Sequence, residues 1–136
     1  MRNTGAPATP RVRSRYRLPV VCTLTCAFTL SAGFTSALAT VDLLPPELTG
    51  SGSLIWAFHL IGFGTALLAW VDRTWAWWAV AGLTAGFLVI DVQLYAVLFV
   101  PGLLTSVGWF ANDIHLGLLV LAEGLAVRRL VTAAPC

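Results

Sequence analysis

This chain contains no lysine, and charged residues make up only 10% of its 136 residues. Soluble domains carry about 25% charged residues. A chain this short would also leave much of its surface exposed as a soluble fold, and 58% of its residues are hydrophobic. Lipid can cover such a surface. The composition therefore predicts an integral membrane protein whose main partner is the lipid bilayer.

Cysteine pairs and the common catalytic motifs are missing as well. The three cysteines, Cys22, Cys26 and Cys136, form no Cys-x-x-Cys pair, so a thioredoxin-like redox centre has no support. We interpret Cys22 and Cys26 as buried free thiols. There is no glycine-rich phosphate loop, no Gly-x-Ser-x-Gly, and no ligand spacing for a metal. These absences predict a protein that is not an enzyme and holds no cofactor or metal.

Four apolar runs account for most of the chain. They predict transmembrane helices at about residues 18–41, 53–71, 74–100 and 109–127, within a transmembrane domain of residues 18–128. Short connections make consecutive helices antiparallel neighbours. The expected fold class is therefore all-α, an integral membrane up-down four-helix bundle. Hydroxyls in the first run are expected to bond to carbonyls of the preceding turn.

Small and aromatic residues predict where these helices meet each other and the interface. Glycines and alanines allow close backbone approach between helices, and the following are expected at contacts: Gly62, Ala66, Gly82, Gly86, Gly117 and Gly124. Tryptophan is enriched at membrane–water interfaces. Trp70, Trp75, Trp77 and Trp78 surround one short turn and are expected to form an interfacial belt there.

The arginines set the expected orientation. Five of the eight precede the first apolar run: Arg2, Arg11, Arg13, Arg15 and Arg17. The others, Arg73, Arg128 and Arg129, fall in the second connection and at the end of the fourth run. Positive residues favour the cytoplasmic side, so both termini are predicted to be cytoplasmic in a bacterial inner membrane. Residues 1–17 are predicted to form a disordered arm that contacts anionic headgroups rather than nucleic acid, and residues 129–136 a tail.

The first apolar run has a second interpretation that stays open at this stage. A basic segment, an apolar stretch and Ala37-Leu38-Ala39 also fit a secretory signal with a small-residue cleavage site. Cleavage would leave three helices and an external N-terminus. The length of the run favours a retained helix.

Ionisable side chains inside spans are costly in lipid and are therefore the candidate functional residues. They form a candidate intramembrane polar cluster with one neutral amide: His59, Asp91, Asn112, Asp113 and His115. At 1.5 Å per residue, three of them lie about 7–13 Å below the outer ends of their helices. We therefore expect His59, Asp91 and His115 to meet in the outer half of the bundle. Glu123, deeper in the fourth helix, is expected to reach towards Arg128 or the inner interface and not to serve as a proton relay.

The cluster supports three hypotheses of function. In the first, its members hydrogen-bond to one another and lock the helices of a non-enzymatic accessory or assembly subunit, with other membrane subunits as partners. In the second, the same groups serve a small proton- or ion-coupled transporter. In the third, His59 and His115 ligate haem in an electron-transfer protein. Small residues around His59 favour tight packing over a haem pocket.

Two short segments resemble each other, His59-Leu60-Ile61-Gly62 and Asn112-Asp113-Ile114-His115-Leu116-Gly117. A His-Leu pair followed by glycine in the second helix, with Asp, a hydrophobic residue and His-Leu opening the fourth, is similar to small four-helix bacterial membrane families. These are the DoxX-like and related uncharacterised proteins. The resemblance covers residues 54–127. It implies a four-helix bundle with an accessory or unassigned role, and it transfers no catalytic residue.

Overall fold

The residues that the computed structural model describes form four α-helices. They are α1 (Arg17–Thr40), α2 (Gly52–Val71), α3 (Thr74–Leu98) and α4 (Ser106–Ala133). The structure describes residues 15–40, 52–98 and 106–133, with side chains for 15–40, 52–93 and 110–132. Several predicted features lie outside the described residues: most of the arginine-rich arm, the two outer loops and Cys136. Within the described part, all regular secondary structure is α-helical, as predicted.

The hydroxyl groups of α1 are bonded within their own helix. Thr23, Thr35 and Ser36 each donate a hydrogen bond to the carbonyl oxygen four residues earlier, at 2.8–2.9 Å. Such a bond satisfies a hydroxyl group without help from water, which the hydrocarbon region of a membrane does not supply. Pro19 lies in the first turn, where its missing N–H group has no intrahelical acceptor in any case. The predicted back-bonding is confirmed.

Helix α4 is longer than predicted. The expectation that Arg128-Arg129 close it is wrong, because the helix continues to Ala133. Arginine is a good helix former, and a cation near a helix C-terminus interacts favourably with the helix dipole. The hydroxyl of Thr132 also bonds to the Arg128 carbonyl at 2.9 Å. An arginine pair at an interface therefore marks the edge of the apolar segment, and not the end of the helix.

The connection between α2 and α3 consists of Asp72 and Arg73. Asp72 has a φ of 54°, in the left-handed region that aspartate tolerates better than most residues. Its Oδ1 accepts a hydrogen bond from the indole Nε1 of Trp77 at 2.9 Å. The turn is thus bonded to the first turns of α3, and α2 and α3 run antiparallel.

The helices form a ring in which each one packs against its neighbours in sequence. Helix α1 packs against α2 and α4, and α3 packs against the same two. Contacts between α1 and α2 link residues early in one helix to residues late in the other, as Arg17 over Trp70 and Ser31 beside His59 illustrate. This is the predicted up-down arrangement, and the fold class is confirmed.

The interior of the bundle is packed with aromatic and small residues. The Phe28 ring lies 5.6 Å from the Phe58 ring and 4.8 Å from the Phe87 ring, between centroids. Gly62 faces Phe28 so closely that a Cβ atom there would collide with the ring. Of the small residues predicted at contacts, Gly62 and Ala66 are buried. The prediction is wrong for the other four glycines, which are exposed and where an added Cβ atom would meet no neighbour within 4 Å: Gly82, Gly86, Gly117 and Gly124.

Large apolar side chains cover the outside of the bundle. Leu54, Leu60 and Leu67 are each about 70% exposed, which is typical of a surface that meets lipid. Cys22 and Cys26 are exposed too, so the expectation of buried thiols is wrong. Both are free. Their i, i+4 spacing places them together on the outward side of α1.

Among the described residues, three helical segments are long and apolar enough to cross a membrane. They are Arg17–Thr40, Gly52–Val71 and Thr74–Gln93. Together they indicate a multi-pass membrane protein. Helix α4 differs from these three because it carries Asp113, Glu123 and the arginine pair.

Three of the four tryptophans of the predicted interfacial belt lie on the outside of the bundle. Trp70, Trp75 and Trp78 are each more than half exposed near the Asp72-Arg73 turn. Trp77 is instead buried in the core, with 1% of its surface exposed. The hydrogen bond from its indole to Asp72 explains the difference, because that bond satisfies the only polar atom of a buried tryptophan side chain.

Candidate intramembrane polar site

His115 connects α4 to two other helices. Its Nδ1 lies 2.9 Å from the backbone carbonyl oxygen of Ala27 on α1, and its Nε2 lies 3.1 Å from Oδ2 of Asp91 on α3. Both side chains are buried, His115 with 3% and Asp91 with 5% of its surface exposed. The sequence prediction that these two residues share a site agrees with this placement.

The contacts of His115 require one proton between its ring and Asp91. A carbonyl oxygen can only accept a hydrogen bond, so Nδ1 of His115 carries a hydrogen. In a neutral ring, Nε2 would then present a lone pair to the Asp91 carboxylate, and two acceptors would face each other. The pair is therefore either an imidazolium beside a carboxylate or a neutral ring beside a carboxylic acid. The two atoms are close but are not aligned as a hydrogen bond, so we describe the contact by its distance.

His59 makes a separate pair of contacts. Its Nδ1 lies 2.7 Å from the Ile55 carbonyl oxygen within α2, and its Nε2 lies 3.1 Å from the Ser31 hydroxyl on α1. By the same reasoning Nδ1 is the donor, and the hydroxyl of Ser31 donates to Nε2. Both ring nitrogens of His59 therefore have hydrogen-bond partners.

A single turn of α1 links the two histidines. In an α-helix the Ala27 carbonyl, which His115 contacts, also accepts the backbone N–H of Ser31, which His59 contacts. Polar contacts consequently run from Asp91 through His115, this turn and His59, and they touch all four helices. We call this connected set the polar chain.

Phenylalanine rings separate the two histidines. The Phe28 ring lies 5.5 Å from the His115 ring, the Phe58 ring lies 5.6 Å from the His59 ring, and the two phenylalanines are in contact. The prediction that His59 meets Asp91 and His115 directly is therefore wrong, because aromatic side chains fill the space between them. The link through α1 replaces it.

Asn112 and Asp113 lie apart from the polar chain. Asn112 is half-buried and makes no hydrogen bond with a described residue. Asp113 is exposed near the start of α4, on a different side of the helix from His115, as its spacing predicts. Of the five predicted site residues, the structure thus brings three into one connected set.

Glu123 does not pair with Arg128 as expected. Its Oε2 is buried and has no hydrogen-bond partner, and no ion pair joins it to a described residue. Five positions along a helix rotate a side chain by about 140°, so Glu123 and Arg128 point in different directions. Arg128 is exposed.

No family model, curated protein or solved structure matches this chain. The likeness to DoxX-like families therefore rests on the sequence segments alone, and the site has to be interpreted from its own geometry. Its histidines leave little room for haem, because every ring nitrogen already contacts a protein group. Among the described residues, no group of three or more His, Cys, Asp or Glu side chains is placed to hold a metal.

Sequence reasoning missed Ser31 and Thr84. Ser31 is one of many hydroxyl residues in α1, and nothing in the sequence distinguishes it from those that bond within the helix. Thr84 is fully buried on the same side of α3 as Asp91, seven residues away, and its hydroxyl has no partner. Counting residues along the antiparallel helices α1 and α2 from their shared end would have placed Ser31 near His59.

Proposed function

We propose that this chain is a non-enzymatic accessory or assembly subunit of a membrane complex, and that the polar chain holds its four helices together. The observation that carries the proposal is the continuity of polar contacts across all four helices. Each of the buried histidines has a protein group within 3.1 Å of both ring nitrogens. Groups engaged in this way are not placed to meet a substrate.

We place the protein in a bacterial plasma membrane with four spans and both termini in the cytoplasm. The support for a fourth span is packing, because α4 lies against two apolar helices and provides the central residue of the polar chain. The support for orientation is that the described arginines belong to one end of the bundle. A retained first helix fits this assignment, since α1 provides a contact to each histidine.

The role of the polar chain can be tested by the stability of three alanine variants. His59→Ala and His115→Ala should each lower the free energy of unfolding in detergent by about 1–2 kcal/mol, because each loses an interhelical contact. Asn112→Ala is the matched control on α4. It should change stability little, because Asn112 makes no hydrogen bond with a described residue. Thermal unfolding followed by circular dichroism measures all three, and unchanged stability in both histidine variants would reject the proposal.

A second candidate function is proton-coupled transport. The observation that favours it is the 3.1 Å contact between two buried ionisable groups, Asp91 and His115, because such groups inside a membrane are typical of proton pathways. Reconstituted vesicles with a pH-sensitive dye inside would detect proton movement. Transport that survives Asp91→Leu would contradict a role for this pair.

A further inference from the structure

Most of the buried polar atoms that lack a hydrogen-bond partner lie along the interface of α3 and α4. Among the described residues these atoms are Thr84 Oγ1, Asp91 Oδ2, His115 Nε2, Glu123 Oε2 and the Nε atoms of Arg17 and Arg129. All except the Arg17 atom belong to α3 or α4. We call this interface the α3–α4 seam.

The register of the seam arranges these atoms in a row. Asp91 faces His115 at one level, and the Arg129 guanidinium lies 6.0 Å from the centre of the Trp77 ring at another. Fourteen residues separate the two levels on each helix. Midway between them, seven residues from Asp91, lies Thr84, opposite the turn of α4 that contains Glu123.

The row thus descends from the polar chain to the arginine end of the bundle. Each step of seven or eight residues covers roughly 10–12 Å along the helix axis. That spacing is too long for direct contact between successive side chains. It is short enough for a few water molecules to connect them.

A comparison of two buried threonines shows that the hydroxyl of Thr84 is exceptional. Thr65 and Thr84 are both completely buried. The Thr65 hydroxyl donates to the Ile61 carbonyl within α2 at 2.9 Å, whereas the Thr84 hydroxyl has no partner. Buried polar groups without a partner are costly, and buried water normally satisfies those that protein groups do not.

We propose that the α3–α4 seam holds a file of water molecules through which protons reach the Asp91–His115 pair from the arginine end. The ligand is water, and the species transferred is a proton. A hydronium ion in the seam donates its proton to the pair and becomes water, while the proton that the pair held leaves to another water molecule. The charge of the pair is unchanged by the exchange, and no oxidant or reductant takes part.

This inference rests on the proposed function only in requiring that α3 and α4 lie within the membrane. The Glu123 carboxylate lies at the level of Thr84, midway between the arginine end and the Asp91–His115 pair, where it can accept a proton and pass it on. The seam gives the second candidate function a specific route. It also explains the unpartnered Thr84 hydroxyl, which the polar chain does not use.

Cysteine labelling of the full chain tests whether the seam is hydrated. The three native cysteines are first replaced by serine, and Thr84→Cys is compared with Thr65→Cys as the equally buried control. A charged, membrane-impermeant methanethiosulfonate reacts with thiolates, which form only in contact with water. We expect the reagent to label Thr84→Cys and to leave Thr65→Cys unlabelled. Equal labelling of both, or of neither, would overturn the proposal.

If Thr84→Cys does not fold, Ala122→Cys on the opposite wall replaces it, with buried Ala69→Cys as its control. Proton access is tested separately by infrared spectroscopy after transfer to D₂O. The bands of the Asp91–His115 pair should shift at once in the unmodified chain and much more slowly in Thr84→Val. Equal rates in both would reject the path.

The outcomes for the seam and for the polar chain are distinguishable. An unlabelled seam together with destabilised histidine variants rejects the water file and leaves the structural role of the polar chain intact. A labelled seam together with histidine variants of normal stability supports the water file and rejects the structural role of the polar chain.

Discussion

At the scale of single residues, His115 links three helices through the polar atoms of one side chain. It contacts Ala27 on α1 and Asp91 on α3 from its own position on α4. The ring can do this because its two nitrogens point in different directions and can differ in protonation. A side chain with a single polar atom could not bridge both neighbours.

Two substitutions of Asp91 test whether its contact with His115 depends on a hydrogen bond or only on packing. In Asp91→Asn the side-chain amide brings its own N–H group to Nε2 of His115, so we expect stability close to that of the unmodified chain. In Asp91→Leu the buried ring nitrogen loses its contact with the carboxyl group, and we expect the free energy of unfolding to fall by about 1–3 kcal/mol. Thermal unfolding in detergent measures both. A loss in Asp91→Asn as large as that in Asp91→Leu would mean that the carboxylate charge itself is required.

At the scale of helices, α1 and α2 approach each other closely at one glycine. Gly62 lies against the Phe28 ring, and that ring in turn packs against Phe58 and Phe87. A side chain at position 62 would push α2 away from α1. The separation would also affect the contact between His59 and Ser31 one turn away.

Two glycine substitutions on α2 test this close approach. Gly62→Ala should destabilise the protein by about 1–3 kcal/mol, because the added methyl group collides with Phe28. Gly64→Ala is the matched control, since no atom lies near its Cβ position. It should be neutral or stabilising by up to about 1 kcal/mol through higher helix propensity. Melting temperatures in detergent measure both effects. Equal effects in the two variants would show that the contact between Gly62 and Phe28 is not tight.

At the scale of the whole molecule, the two ends of the bundle differ in charge. Arg17 stacks over Trp70, with its guanidinium carbon 3.7 Å from the ring centre, and Arg129 lies over Trp77. Such cation–π contacts hold the arginine side chains at one end of the bundle. The outer faces between the ends are dominated by exposed leucine, valine and tryptophan. The proposed orientation places this arginine end at the cytoplasmic interface, because positive residues favour that side.

Labelling of introduced cysteines tests that orientation. Ser53 and Thr132 are exposed near opposite ends of the bundle. In a background without native cysteines, an impermeant maleimide should label Ser53→Cys on intact cells and Thr132→Cys only after the cells are opened. Labelling of both on intact cells, or the reverse pattern, would contradict a cytoplasmic C-terminus.

The fold class and the burial of three ionisable residues, His59, Asp91 and His115, could be predicted from the amino-acid sequence. Apolar runs of spanning length separated by short connections allow few arrangements other than an up-down bundle. Burial of His59, Asp91 and His115 follows from the cost of exposing such groups to lipid. Hydroxyl groups that bond within their own helix were also predictable, because that interaction is local.

Which of these residues touch depends on the tertiary structure. The contact between Asp91 and His115 depends on the register of α3 against α4, and a hydropathy pattern does not specify register. The position of the Phe28 and Phe58 rings between His59 and His115 depends on how the helices are rotated about their axes. The outward position of Gly82 and Gly86 has the same cause, since small residues permit a close contact without specifying it. Contacts between helices are set by the shapes of many side chains together, and the sequence gives the identities of those side chains without their directions.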